Sequence, residues 1–302
     1  MTKSMIHTID LKFKGIEKSI GVFLVQHQDG GILIECGPGS TLPALTEALE
    51  EYGLTPRDIS DVFLTHIHLD HAGSAGWWAR QGARIHVHEF GAPHMLNPEK
   101  LLASAKRIYG DQMDSLWGEF LPVPEDKLNI LRDGDIVRIA NLEIKAIDTP
   151  GHARHHFSYL CQGVCFTGDV GGCRLPGIPF IRLPSVPPEF HLETWRATLQ
   201  KLRQEEIQAI APTHFGLHTD VNWHLDALET ILDETEAWIE AEMPQMDSRE
   251  TLRQKFAAWV TLKGQDAGLP SDLIGAYDIA ISSEMSADGI WRYWYKFRHK
   301  GD

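Results

Sequence analysis

At 302 residues the chain is long enough for one large core or a core with a smaller domain, and 43% hydrophobic with 23% charged residues is the balance of a folded globular protein. Its net charge of −14, from 28 basic and 42 acidic side chains, argues against electrostatic partnership with nucleic acid. The longest apolar runs are strand-sized, so no bilayer-spanning segment is expected, and residues 1–15 mix Lys and Asp where a signal peptide needs an unbroken apolar stretch.

The expected compartment is therefore the cytoplasm. Four cysteines (Cys36, Cys161, Cys165, Cys173) are too few for a disulfide framework and are read as reduced thiols packed on strands. Only Lys296 to Lys300 is locally positive, and a solvated end accounts for it.

Ile6 to Phe13, Ile20 to Gln26 and Gly31 to Glu35 read as three opening strands, the last two joined by the Asp29-Gly30 turn. Ser40 is placed to cap a helix on Leu42, Leu45, Ala48, Leu49 and Tyr52 that stops at Gly53. Thr55-Pro56 reads as a second cap, leading into the strand Val62 to Leu64. A short helix over Gly73 to Gln81 and a strand over Arg84 to His88 follow. Residues 93–120 carry a helical stripe between two strands and are read as an insertion.

Asp133-Gly134-Asp135 marks a hairpin turn before the strands Ile136 to Ile139 and Leu142 to Ile147. Phe157 to Leu160 and Val164 to Phe166 pair around Gln162-Gly163. A Pro- and Gly-rich loop (171–188) precedes a helix on Leu192, Trp195, Leu199 and Leu202, and the strand Ile207 to Ala211. From about His224 the pattern is helical: a stripe on Leu225, Leu228, Leu232 and Ile239, a second after Ser248 as cap, and a third after Ser271 as cap. Strands alternating with helices argue an α/β (α+β) chain: a four-layer αββα sandwich of two mixed sheets over residues 1–223, with a C-terminal helical appendage over 224–302.

The densest chemistry is Thr65 to Gly73, THIHLDHAG, directly after an apolar strand. His66 and His68 can project to one side while Asp70 and His71 curl back toward the next helix. Imidazole and carboxylate donors suit Zn(II), Fe(II) or Mn(II). Three further strands end the same way, at His152, at Asp169 and at His214. Five nitrogen donors and two carboxylates exceed what one tetrahedral ion uses, so the count implies two ions, with one carboxylate placed to bridge them.

These motifs resemble those of the metallo-β-lactamase superfamily. Its HxHxDH motif stands as His66, His68, Asp70 and His71, its Gly-His motif as Gly151-His152, its bridging aspartate as Asp169 in Thr167-Gly168-Asp169, and its last histidine as His214. The resemblance implies one ion on His66, His68 and His152, another on Asp70, His71 and His214, and Asp169 between them. The run Thr149 to Ser158 looks like that of glyoxalase II and lactone hydrolases, with Ala153, Arg154 and His155 departing from it. Glu35 aligns with the superfamily's early acidic residue and is given a supporting role behind the ligands.

The function so implied is a dinuclear hydrolase, with zinc the expected metal and Fe or Mn possible alternatives. A metal-bridging hydroxide would attack an ester, thioester, lactone or amide of a small-molecule substrate. Asp70 would serve as catalytic proton carrier. His156 is placed to orient a ligand or the substrate, and Arg174, Phe180 and Arg182, on the loop after Asp169, to read substrate. A mononuclear iron persulfide dioxygenase, a flavin-coupled di-iron oxidoreductase, a phosphodiesterase or nuclease, and a binding module are the competing readings. The acidic pI disfavours a nuclease, and the missing flavodoxin-like domain disfavours the flavin-coupled one. The insertion and the C-terminal helices are expected to wall the cleft and to supply a homodimer contact.

Overall fold

A computed structural model of the chain describes residues 5–299, so Lys300 of the basic tail lies outside the described residues. Six strands form the first sheet in chain order: β1 (Ile6–Asp10), β2 (Gly21–His27), β3 (Gly30–Ile34), β4 (Ile59–Phe63), β5 (Arg84–His88) and β6 (Leu128–Leu131). The first three are antiparallel and the rest add in parallel. α1 (Leu42–Glu51), α2 (Leu69–Ala72), α3 (Ala75–Gln81), α4 (Ala92–Leu96), α5 (Glu99–Tyr109) and α6 (Met113–Trp117) lie between these strands in sequence.

The second sheet runs β11-β10-β9-β8-β7, from β7 (Ile136–Ile139), β8 (Leu142–Asp148), β9 (Phe157–Cys161), β10 (Val164–Phe166) and β11 (Ala209–Ala211). Only β10 and β11 are parallel, joined through α7 (Leu192–Leu202). α8 (Val221–Glu242), α9 (Arg249–Asp266), α10 (Ser271–Ala280) and α11 (Ser283–Tyr293) follow, with a π-helical turn over Trp294–Arg298 after them.

The layering follows from the two-residue period of the strands. In β2, Val22 and Leu24 face a core shared with Leu45, Leu49, Trp78 and Met95 of the helices, whereas Phe23 and Val25 face the other sheet. The inter-sheet core joins Ile32, Ile34 and Phe63 to Ile144, Phe157, Tyr159 and Phe166. On the far side of the second sheet, Ile147, Cys165 and Ile210 pack with α7, α8, α9 and α11 through Trp195, Leu228, Phe256 and Ile290. Three stacked cores separate four layers, so the αββα expectation holds. All four cysteines are buried and unpaired; Cys161 and Cys165 lie on β9 and β10 as expected, whereas Cys36 and Cys173 lie on the loops that follow β3 and β10.

Several local expectations shift. Ser40 does not cap α1: its hydroxyl donates to Leu116 O at 2.6 Å, because the Gly39-Ser40 backbone is pressed against Gly118 and ties the insertion to the loop after β3. Ser271 is the first residue of α10, and Pro270 holds the cap position. The expected helix over Gly73 to Gln81 forms as α3 from Ala75, with the one-turn α2 as a separate element before it, and the strand at 207–211 is shortened to β11. Ser248 caps α9 as expected, accepting from Thr251 N–H at 3.1 Å. Thr55 and Asp58 form a reciprocal capping box on a single 3-10 turn.

Trp195 is the densest link between α7 and the second sheet. It is fully buried, its indole N–H donates to Val170 O at 2.9 Å, and its backbone lies against Gly151, where a β-carbon would sit 2.6 Å from Trp195 Cα. Replacing Trp195 by Ala opens a large cavity and strands the Val170 carbonyl. The expected loss is about 3–5 kcal/mol in urea unfolding. A loss below about 1 kcal/mol would mean that this side of the sandwich repacks freely.

Candidate metal centre

Four strand ends bring seven donors together. β4 is followed by Leu64, whose N–H donates to His86 O at 3.0 Å, and the chain then leaves the sheet at Thr65. His66 and His68 follow in extended chain, and the one-turn α2 carries Asp70 and His71 back over them. The His71 carbonyl accepts from Cys36 and Gly37 N–H at 2.9 and 3.2 Å, fastening this turn to the loop after β3. His152 follows β8, Asp169 follows β10 and His214 follows β11. At Gly168, φ is +49° and a β-carbon would meet Thr65 Oγ1 at 2.4 Å, so the Thr-Gly-Asp turn admits only glycine.

The hydrogen bonds behind the histidines decide where their lone pairs point. His152 Nδ1 faces Pro184 O at 2.7 Å, and His214 Nδ1 faces Ser19 O at 2.6 Å; a carbonyl only accepts, so both nitrogens carry the proton. His71 Nδ1 donates to Glu35 Oε1 at 2.9 Å. Thr65 Oγ1 gives its own proton to Glu35 Oε1 at 2.5 Å and so accepts from His66 Nδ1 at 3.0 Å. In the neutral rings, four Nε2 atoms are therefore bare acceptors.

These acceptors face one another and the carboxylates. His68 Nδ1 lies 2.9 Å from His66 Nε2 and 3.0 Å from His152 Nε2. Asp169 Oδ2 is 3.3 Å from His152 Nε2, and its Oδ1 is 3.2 Å from His71 Nε2 and 3.4 Å from His214 Nε2. Asp70 Oδ2 is 3.5 Å from His71 Nε2 and 3.4 Å from His214 Nε2. His71 Nε2, His214 Nε2 and Asp169 Oδ1 are buried without a hydrogen-bond partner. A proton on His68 Nδ1, shared at best between two lone pairs, leaves the others unmet. Donor atoms on a tetrahedral ion at about 2.0–2.1 Å stand roughly 3.3 Å apart, so the spacing fits metal ligation. Two groups hold the seven donors between them, His66-His68-His152-Asp169 and Asp70-His71-His214, and a third, Glu35-His66-His71, joins the two.

Protonation divides along the same line. Burial, reinforced by the neighbouring imidazoles, holds His66 far below the ordinary histidine range, and burial takes His68 down to about 3. Burial also opposes charge on His71, but Asp70, Asp169 and Glu35 outweigh it and raise its pKa; Asp169 and Asp70 do the same at His214. The second set thus sits in a field already arranged for positive charge.

Glu35 lies behind His71 and the Thr65 turn, and it is fully buried. Besides His71 it takes the Thr65 N–H (3.2 Å) and the hydroxyls of Thr65 and Thr213 (2.5 and 3.1 Å). Its φ of +67°, unusual for a non-glycine residue, turns the carboxylate toward His71. His156 is buried beneath the centre: its ring stacks on His66 (5.1 Å between centroids), and its nitrogens meet Thr149 Oγ1 (2.9 Å) and Val170 N–H (3.4 Å). Arg174 is bidentate to Asp220 at 2.8 and 2.7 Å, Arg182 pairs with Asp278 at 2.9 Å, and Phe180 packs edge-on against Tyr277. The structure gives these three side chains partners in the C-terminal helices and does not bring them to the donors.

The sequence assigns no role to Tyr109, close enough to Asp70 to feel its charge, or to the Arg154–Phe90 contact. Tyr109, on α5, is edge-on to Trp117, which stacks on Phe13, and its hydroxyl donates only to the weak acceptor Met285 Sδ at 3.3 Å. Arg154, two residues after His152, lies over the Phe90 ring at 3.9 Å. Neither has a spacing signature, since each contact joins segments far apart in sequence.

A family model described as the metallo-beta-lactamase superfamily matches residues 19–214, a span holding all seven donors. The chain is similar to the metallo-beta-lactamase fold-containing protein ST1585 of Sulfurisphaera tokodaii, at 27% identity over 160 residues, 52% of this chain and 60% of that protein. It is also similar to the atrochrysone carboxyl ACP thioesterase nsrC of Aspergillus novofumigatus, at 26% over 195 residues, 63% of this chain and 47% of that one. The match thus spans less than two thirds of either relative. In fold it is similar to the crystal structure of a metallo-beta-lactamase family protein, TTHA1429, from Thermus thermophilus, with a TM-score of 0.66 at 21% identity, covering 96% of this chain and 93% of that one.

Glu35→Gln keeps the shape of the buried group but removes the charge behind His71. Partners of this kind change metal affinity by about 10- to 100-fold. Chelator competition should show that loss for metal taken up at His71, with far-UV dichroism unchanged. Unaltered affinity would show that His71 needs no anionic partner.

Proposed function

Because the chain belongs to the metallo-β-lactamase superfamily, we propose that it is a dinuclear metal-dependent hydrolase that opens an ester, thioester, lactone or amide bond. The observation that carries this reading is the placement of Asp169, whose two oxygens face different histidines: Oδ2 toward His152, Oδ1 toward His71 and His214. In this reading His66, His68 and His152 hold one ion, Asp70, His71 and His214 the other, and Asp169 lies between. Imidazole and carboxylate donors favour Zn(II), with Fe or Mn the alternatives. Bound there, two divalent ions supply Lewis acidity toward a carbonyl and make water a nucleophile at neutral pH.

The protein's own groups do the rest. Asp70 is the more open carboxylate, its side chain 21% exposed against 5% for Asp169, so it meets the substrate side. Burial alone would raise its pKa, but His71 and His214 hold it well below the ordinary range, and it arrives ionised. Asp70 accepts the proton of the attacking water and returns it to the departing alkoxide or amine. Burial and the charge of Asp70 keep the Tyr109 phenol protonated, and a substrate oxygen would be a better acceptor for it than Met285 Sδ. The thioester branch draws support from the relative named as an acyl-carrier thioesterase. Residues 1–223 form the hydrolase unit and 224–302 a helical extension in this reading.

Elemental analysis of saturated protein should find two ions per chain. One ion at saturation would overturn the dinuclear reading and favour a mononuclear iron oxidase acting on persulfides. A panel of thioesters, lactones, β-lactams and phosphodiesters then assigns the bond. Asp70→Asn should lower turnover by about 10²–10⁴, less for thioesters, whose thiolate leaves unprotonated, than for amides. Near-normal amide turnover with two ions bound would route the proton elsewhere.

A further inference from the structure

The loop after Asp169 is a strap tied at one side to metal-site histidines and at the other to the C-terminal helices. Residues 173 and 182 close it as a small ribbon: Cys173 N–H donates to Arg182 O at 2.8 Å and Arg182 N–H to Cys173 O at 3.0 Å. Inside the ribbon, Arg174 N–H donates to the His214 carbonyl at 2.5 Å, and Phe215 N–H returns a bond to Arg174 O at 3.2 Å. Further along, Pro184 O fixes His152 Nδ1. One histidine of each donor set therefore takes its position from this strap.

The strap has few anchors in the sandwich and several in the helices. α10 grips it at its centre. The Tyr277 hydroxyl accepts from Leu175 N–H at 3.0 Å and donates to Phe180 O at 2.8 Å, so one buried oxygen staples the two arms of the ribbon. The neighbouring Asp278 holds Arg182 at 2.9 Å. The N-cap of α8 adds Asp220, the bidentate partner of Arg174, and the helix itself adds His224, which donates to Gly171 O at 2.8 Å. α11 closes on the far arm: Ser185 Oγ donates to Ser286 O at 3.3 Å, and a β-carbon at Gly289 would strike Ser185 O at 1.9 Å.

We propose that Tyr277 is a positioning residue for the metal centre: by stapling the strap it holds the His214 backbone, and with it the aim of His214 Nε2 toward Asp70 and Asp169. The C-terminal helices are on this account the scaffold of two ligands. His152 and His214 hang from the ends of β8 and β11, and the strap's hydrogen bonds hold the ring of the first and the peptide unit of the second. Outer contacts that orient a ligand are known to set its affinity, and here they come from a residue 63 positions further along the chain than the histidine they hold.

This rests on the reading of His214 as a ligand, and its test separates the two. Tyr277→Phe retains the ring and its packing on Phe180 while removing the staple. In the wild type, chelator competition should resolve two ions, and Co(II)-substituted protein should show a ligand-field spectrum for each site. No ion bound by the wild type would overturn the ligand reading itself. With that established, Tyr277→Phe should weaken the ion on the Asp70-His71-His214 set by about tenfold and shift its Co(II) bands, with the first ion and the far-UV spectrum little changed. Asp278→Asn, which loosens the same strap at Arg182, should act in the same direction and carries the test if the first variant does not fold. Two variants with wild-type affinities and unshifted Co(II) spectra would overturn the inference. Equal weakening of both ions together with a lowered melting temperature would also overturn it, since that is the mark of a general loss of packing.

Discussion

Electrostatic repulsion among acceptors is the constraint from which the arrangement of this molecule follows. Four histidines give their Nδ1 protons to protein oxygens and, as neutral rings, present bare Nε2 atoms to two carboxylates and to one another, within a site that excludes water from most of its surface. A buried polar group without a partner costs on the order of 1–3 kcal/mol, and here several are stranded together. Positive charge resolves the conflict. The backing contacts, from Glu35, Thr65, Ser19 and Pro184, spend four strong acceptors on holding the rings in the one tautomer that makes the conflict worst.

The backing groups explain features that would otherwise look incidental. Glu35 sits buried at a left-handed φ just after β3, yet its carboxylate bonds go to the Thr65 turn, to His71 and to Thr213. It gathers the ends of β4 and β11 around one carboxylate. Glycines at 151 and 168 let the second-sheet turns come within contact of Trp195 and Thr65. The precision of the centre is a property of loops, made rigid by contacts that converge from both sheets.

Legibility in the sequence tracks how local the determining contact is. HxHxDH announced itself because its four residues fall within six positions after an apolar strand. His152, Asp169 and His214 were legible through the repetition of that grammar. β6 was not, since Asn129 interrupts its apolar run and Ile130 is half exposed at a sheet edge. α11 escaped for a different reason: its Gly289 weakens a helical pattern but is demanded by the backbone of Ser185, about a hundred residues earlier. The arginines of the strap were read as substrate contacts because they lie on a loop beyond a ligand. Their acids, Asp220 and Asp278, stand 46 and 96 residues away, and no local signal announces such a pairing.

Each donor set draws on both halves of the sandwich. His66 and His68, from the first sheet, meet His152 from the second; Asp70 and His71 meet His214 in the same way. An ion in either set is therefore a rivet between the two sheets, crossing the same gap that Phe23, Phe63 and Phe166 fill with apolar contacts. Ligand binding and folding then draw on one free energy: at a free-ion concentration a thousand times the dissociation constant, a single rivet adds about 4 kcal/mol to the folded state. The same ions that would carry the chemistry would thus set how far the two sheets can slide past each other, and a cell short of metal would hold a protein that is looser as well as idle.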